Sequence, residues 1–234
     1  MSHAHIKGDD FVLSCAASSL LQLYSIATHR YTITSLLIAL IKIFLSISAC
    51  RSFHGAYATA GDLVCLLQAV SFLETIHAAV GLVPASFLLT LMQWGGRTHF
   101  LFAIVRQINE VQSLPSVFIT FTAWSLSEVI RYSHYASSIL QVCPSWLTYF
   151  RYTAFIFLYP IGIGPGEMWL MWQALPYVKE RSLYSDFFNK FAISYYSFLV
   201  AVLVCYPFLW LKLYLHLFKQ RRSKLNKKEG KKKL

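Results

Sequence analysis

The stretch "RYTAFIFLYPIGIGPGEMW", Arg151 to Trp169, decides how the rest of the chain is read. It opens as an apolar run and breaks on Pro160, Gly162, Gly164, Pro165 and Gly166. A carboxylate, Glu167, follows at once, and the apolar run then resumes. Helix-breaking residues at membrane depth occur where the backbone packs in protein or lines a cavity. A carboxyl desolvated in such a recess can exchange protons near neutral pH, and Tyr159 adds a phenolic hydroxyl nearby. The residues alone leave a second reading open, in which Glu167 sits at a membrane surface after an ordinary turn.

The surrounding composition makes a membrane the expected solvent. The 234 residues are 56% hydrophobic and 13% charged, with a mean hydropathy of +0.51. A soluble domain carries about a quarter charged residues. Apolar runs of roughly 20 residues recur, which is the helical length that crosses a bilayer. Lipid cannot satisfy open backbone groups, and the alternation of a lipid-facing barrel is missing, so the expected fold is an all-α polytopic membrane helix bundle.

The runs predict about six crossings. Phe11–Ala27 and Tyr31–Ala49, separated only by Thr28, His29 and Arg30, count together as one. Spans at about Ala56–Val83, Ser86–Val105 and Ser116–Leu140 follow. A fifth starts near Trp146 and meets the Pro/Gly break, and a sixth covers Phe191–Phe218. "RQINEVQS" and "LPYVKERSLYSDFFNK" read as polar connections. The domain plan is a short polar N-terminus (1–10), a membrane domain (11–218) and a basic tail (219–234). The tail, "KQRRSKLNKKEGKKKL", holds nine Lys or Arg and one Glu. Basic flanks stay cytoplasmic; six crossings put both termini there, whereas seven would move the N-terminus across. The final "KKKL" resembles a dilysine endoplasmic-reticulum retrieval signal. No nucleic-acid recognition fold accompanies the basic run.

The cysteines, at 15, 50, 65, 143 and 205, are scattered, odd in number and without a CxxC pair, which argues against a disulfide framework. No cleavable signal pattern precedes the first apolar run. Walker, dinucleotide and zinc spacings are absent, and "ETIH", Glu74 to His77, is one copy of a motif that di-iron sites need twice. No cofactor or metal is expected.

Charged residues inside apolar runs carry the remaining information, because each costs about 2.5–3.5 kcal/mol at the bilayer centre. The embedded set is Asp62, Glu74, Glu128, Glu167, Lys42, Arg97, Arg131 and Arg151. Glu128 and Arg131 stand three apart and can touch on a helix. They are either a structural ion pair or part of a basic site for a phosphate-bearing headgroup. Lys42 is placed to snorkel.

"SFLETIHAAVGLVPAS", "QWGGRTHFLFAIV", "WSLSEVIRYSHY" and "LTYFRYTAFIFLYPIGIGPGE", in that order, resemble the signature segments of the 3-hydroxyacyl-CoA dehydratase family, also called protein-tyrosine-phosphatase-like. The similarity runs from about Ser52 to the tail, and "LPYVKE" and "YPFLWLKLYLHLFKQRRSKL" resemble its plant members. The phosphatase chemistry itself is not supported. In "HAAVGLVP", Ala78 stands where a nucleophilic Cys would be and Pro84 where a phosphate-holding Arg would be.

The resemblance implies a multi-pass endoplasmic-reticulum enzyme that removes water from a (3R)-3-hydroxyacyl-CoA to give the trans-2-enoyl-CoA in very-long-chain fatty-acid elongation. It implies Tyr159 and Glu167 as the catalytic pair, with acid and base roles open. Arg131, Tyr132 and Arg151 become candidates for binding the substrate's CoA end. It implies acyl-CoA, membrane lipid and the other elongation enzymes (condensing enzyme, ketoacyl-CoA reductase and enoyl-CoA reductase) as partners. A non-catalytic scaffold or acyl-CoA-binding subunit is the alternative.

Two departures from the family pattern sharpen the expectation. The family sets its Glu seven positions after its Tyr, whereas Glu167 comes eight after Tyr159. In a continuous α-helix, eight positions overshoot the starting face by about 80°. The glycines and Pro165 predict a loop that absorbs the extra residue. Near the start, "LYSIATHRYTIT" keeps the family's Tyr as Tyr24 but has Ser25 for its Asn and lacks its Gly-Trp.

Overall fold

A computed structural model describes residues 31–42, 44–45, 55–80, 87–191 and 193–232. The expectations for the first apolar stretch, for Tyr24 and Ser25, and for Pro84 lie outside the described residues. So do those for the side chains of Glu74 and His77.

All regular structure among the described residues is helical. Helix α1 covers Tyr31–Lys42. Helices α2 (Ala56–Val70) and α3 (Phe72–Ala79) share the stretch expected to be one span; Ser71 divides them and its hydroxyl donates back to the Gln68 carbonyl at 2.7 Å. Helix α4 (Phe87–Thr98) runs on as a π-helix, His99–Val105. After the short α5 (Asn109–Gln112), α6 (Pro115–Ile139) starts with Pro at its first position, where the missing N–H costs nothing.

Helices α7 (Ser145–Arg151), α8 (Phe155–Ile161), a second π-helix (Gly162–Met168) and α9 (Trp169–Glu180) follow nearly end to end. A short α10 (Ser185–Phe188) leads to the long α11 (Tyr195–Lys232). Two helical runs among the described residues are long and apolar enough to cross a membrane: Ser145–Glu180, 36 residues, and Tyr195–Leu225, 31 residues. Their outward faces suit lipid, since Phe208 is 72% exposed, Phe157 68% and Trp172 62%. The basic run from Lys219 continues α11 as helix to Lys232.

The loop expected at the Pro/Gly break is not there. An α turn closes with i→i+4 bonds, whereas a π turn closes with i→i+5 bonds and takes in one more residue. The extra residue is therefore absorbed inside a continuous helix. Gly162 and Gly166 serve packing instead. A Cβ on Gly162 would lie 3.1 Å from Ala123 Cβ, and one on Gly166 would lie 2.6 Å from Thr120 Oγ1. Only bare backbone lets the π segment lie this close to α6, as small residues do at membrane helix contacts.

The prolines also have structural partners. Pro160 has no N–H, so the Ile156 carbonyl four residues earlier loses its helix donor. The Tyr214 hydroxyl of α11 donates to that carbonyl at 3.1 Å. The polar connection expected from Leu175 is shorter, because α9 runs to Glu180 and carries Leu175 and Val178 into the core. That core joins the first π-helix, α6, α9 and α11 around Leu101, Ile104, Phe121, Leu170 and Leu199, all fully buried.

The close approach makes a prediction. Gly166→Ala should lower the stability of the detergent-solubilised protein by about 1–3 kcal/mol, the usual range for overpacking. Thermal unfolding is the measurement. Gly164→Ala, where an added Cβ meets nothing within 4 Å, should leave the midpoint nearly unchanged.

Candidate active site

The α4, α6, α8 and α11 helices enclose a cavity of about 580 Å³, with α1, α2 and α3 closing one side. Leu36, Leu67, Trp94, Phe155, Leu158 and Leu213 contribute apolar wall. The polar groups converge from opposite elements: Gln93 and Arg97 from α4, Glu128, Arg131, Tyr132 and Tyr135 from α6, Arg151 and Tyr159 from the α7–α8 run, and His216 from α11.

Tyr159 lines this cavity, and its hydroxyl accepts a hydrogen bond from Gln93 Nε2 at 3.2 Å. Glu167 lies deeper, only 6% exposed. Both of its oxygens are bound: the Trp124 indole N–H donates to Oε1 at 2.7 Å, and the Tyr206 hydroxyl donates to Oε2. The residue absorbed by the π-helix makes eight positions turn as seven would. Tyr159 and Glu167 accordingly both face the bundle interior, and Arg97 lies within electrostatic reach of each.

Arg97 is itself held. Its guanidinium donates to Glu128 Oε1 and stands over the Trp124 ring, 5.0 Å from the centroid. Glu128 also accepts from Arg131 Nε at 2.6 Å, across the i, i+3 spacing expected from sequence. Arg131 Nη2 then donates to the Tyr132 hydroxyl at 2.9 Å. Trp124 thus uses both of its electrostatic features: the electron-rich face meets a cation and the N–H edge meets a carboxyl.

Among the substrate-binding candidates, Arg131 and Tyr132 belong to the Glu128 network and line the cavity. Arg151 also lines it, packed near the rings of Tyr135 and Tyr152 at 5.9 and 5.8 Å. Of the other embedded charges, Asp62 and Lys42 are exposed. Sequence reasoning missed Gln93, Trp124 and Tyr206 as parts of the site. The available signal was chemical: a phenol or indole inside an apolar span usually finds a partner for its O–H or N–H.

The Glu128 network makes a prediction. Its carboxylate is 14% exposed and binds two guanidinium groups. Glu128→Gln leaves both without a counter-charge, and breaking such a buried pair costs about 3–5 kcal/mol. A substantially lower unfolding midpoint is expected, whereas Lys42→Gln should change it little.

The chain is similar to known proteins over most of its length. Residues 68–227 match the family described as "Protein tyrosine phosphatase-like protein, PTPLA". The very-long-chain (3R)-3-hydroxyacyl-CoA dehydratase 2 of Homo sapiens is 38% identical over 185 residues, covering 78% of this chain and 72% of that protein. The dehydratase 1 of Mus musculus is 33% identical over 217 residues, covering 92% and 75%. The dehydratase 3 of Mus musculus is 33% identical over 187 residues, covering 77% and 51%. No solved structure matches. With more than half its length matched and relatives this similar, the chain belongs to the PTPLA family of protein tyrosine phosphatase-like proteins.

Proposed function

We infer that this protein is a very-long-chain (3R)-3-hydroxyacyl-CoA dehydratase, a hydro-lyase that yields the trans-2-enoyl-CoA. The observation that carries the reading is a phenol on a cavity wall with a buried carboxyl behind it, on one helix, in a chain similar to dehydratases.

The reaction needs a group to take the C2 proton and a group to give a proton to the departing C3 hydroxyl. Tyr159 and Glu167 divide these transfers. The C2–H electron pair becomes the new double bond, the C3–O bond breaks, and the oxygen leaves as water. Exchange of a proton between the two residues then restores the starting state. Charge building on the thioester oxygen needs a fixed positive partner, and Arg97, immobilised by Glu128, supplies positive potential beside both residues. Apolar walls around Trp94 and Leu158 suit the acyl chain. Arg151, with Arg131 and Tyr132, suits the CoA phosphates.

We place the protein in the endoplasmic-reticulum membrane with about six crossings and a cytoplasmic basic tail, beside the condensing enzyme and the two reductases of the cycle. The plan of a short polar N-terminus, a membrane domain over 11–218 and a tail over 219–234 supports that topology.

Purified protein should dehydrate a long-chain 3-hydroxyacyl-CoA. Tyr159→Phe and Glu167→Gln should each lower kcat by about 100-fold or more, the usual contribution of a positioned acid or base. Variants as active as the wild type would refute the assignment. Arg151→Ala should raise KM for the CoA thioester by roughly tenfold, the loss of about 1.4 kcal/mol of binding, with kcat little changed.

A further inference from the structure

We propose that Tyr206 and Trp124 are positioning residues that decide which oxygen of Glu167 carries the exchangeable proton. The inference rests on the reading of Glu167 as a catalytic group and deepens it.

Donor and acceptor capacity sets the preference. An indole N–H can donate and cannot accept. Because Trp124 Nε1 points at Oε1 from 2.7 Å, a proton on that oxygen would have to point away from the indole. A hydroxyl oxygen is also the weaker acceptor, so the indole favours Oε1 as the oxygen without the proton. A phenolic oxygen both donates and accepts. Tyr206 can donate to Oε2 when the carboxyl is ionised and accept from it when the carboxyl is protonated. A proton taken up by Glu167 consequently resides on Oε2, and a proton given by Glu167 leaves from there.

The three residues come from separate elements: Trp124 from α6, Glu167 from the π-helix and Tyr206 from α11. Trp124 is itself fixed by Arg97 over its face and by Phe100 packed edge-on, with centroids 5.5 Å apart. Tyr206 is half-buried in the apolar run "LVAVLVCYPFLW" and takes its position from α11. A carboxyl gripped at both oxygens cannot rotate between rotamers, and a displacement of 1 Å is enough to cost roughly 100-fold in rate.

The test is kinetic, on full-length protein with a long-chain 3-hydroxyacyl-CoA. Tyr206→Phe should lower kcat by about tenfold or more while KM stays within about twofold, because the lost bond acts on Glu167 and not on substrate. Made on the Glu167→Gln background, the same change should cost nothing further, since residues acting as one unit are non-additive. Replacing Tyr206 with 3-fluorotyrosine, which keeps ring and donor, should restore most of the rate and serves as the control for folding. Wild-type kcat in Tyr206→Phe, or a full additional loss in the double variant, overturns the inference. A fully active Glu167→Gln instead overturns the catalytic reading of Glu167 itself, so the two failures are distinguishable.

Discussion

The structure depends on how closely the Gly162–Met168 segment lies against α6. Gly166 meets Thr120 at a separation that a Cβ there would not allow, and Gly162 meets Ala123 at one that a Cβ would make tight. The Thr120 hydroxyl is turned back to its own helix, donating to the Ser116 carbonyl at 2.8 Å, so the surface offered to Gly166 is settled. This contact brings a carboxyl within reach of an indole one helix away. Were the helices a few ångströms further apart, Glu167 would lose the Trp124 donor and keep only Tyr206.

Polar groups elsewhere in the bundle follow the same rule of enforced partnership. Lipid provides no hydrogen bonds, so a charged or backbone polar group placed at depth is answered by protein. Glu128 is answered twice, by Arg97 and Arg131. The Ile156 carbonyl, freed by Pro160, is answered by Tyr214 from across the bundle. The amide of Gln68, also buried, donates to the Trp94 carbonyl and to Thr98 Oγ1, tying α2 to α4. Apart from Arg131, which shares α6 with Glu128, each answer comes from a different element than the question. The site is in this sense a by-product of helices being required to satisfy one another.

The two π-helices bear on the same point. A π turn widens the helix by one residue and loosens its backbone ladder, and such segments cluster at functional sites. The second one reconciles an eight-residue separation with the seven that two α turns would ask for. It also keeps the peptide backbone hydrogen-bonded at a depth where a loop would leave groups exposed.

Much of this was legible from residues alone. The run lengths, the low charge content and the basic tail identify a helical membrane chain, because the cost of burying charge and open backbone in lipid acts on composition directly. Tyr159, Glu167 and the Glu128–Arg131 pair were also visible, since a carboxylate in an apolar run is conspicuous and i, i+3 spacing is local geometry. Glycine and proline, by contrast, signal broken helix equally well as they signal close packing. Their meaning here came only with α6 in place, which is why the expected loop is a π-helix. The grip of Trp124 and Tyr206 on Glu167 was likewise beyond sequence, because their separations of 43 and 39 residues are bridged only by the way α6, the π segment and α11 pack.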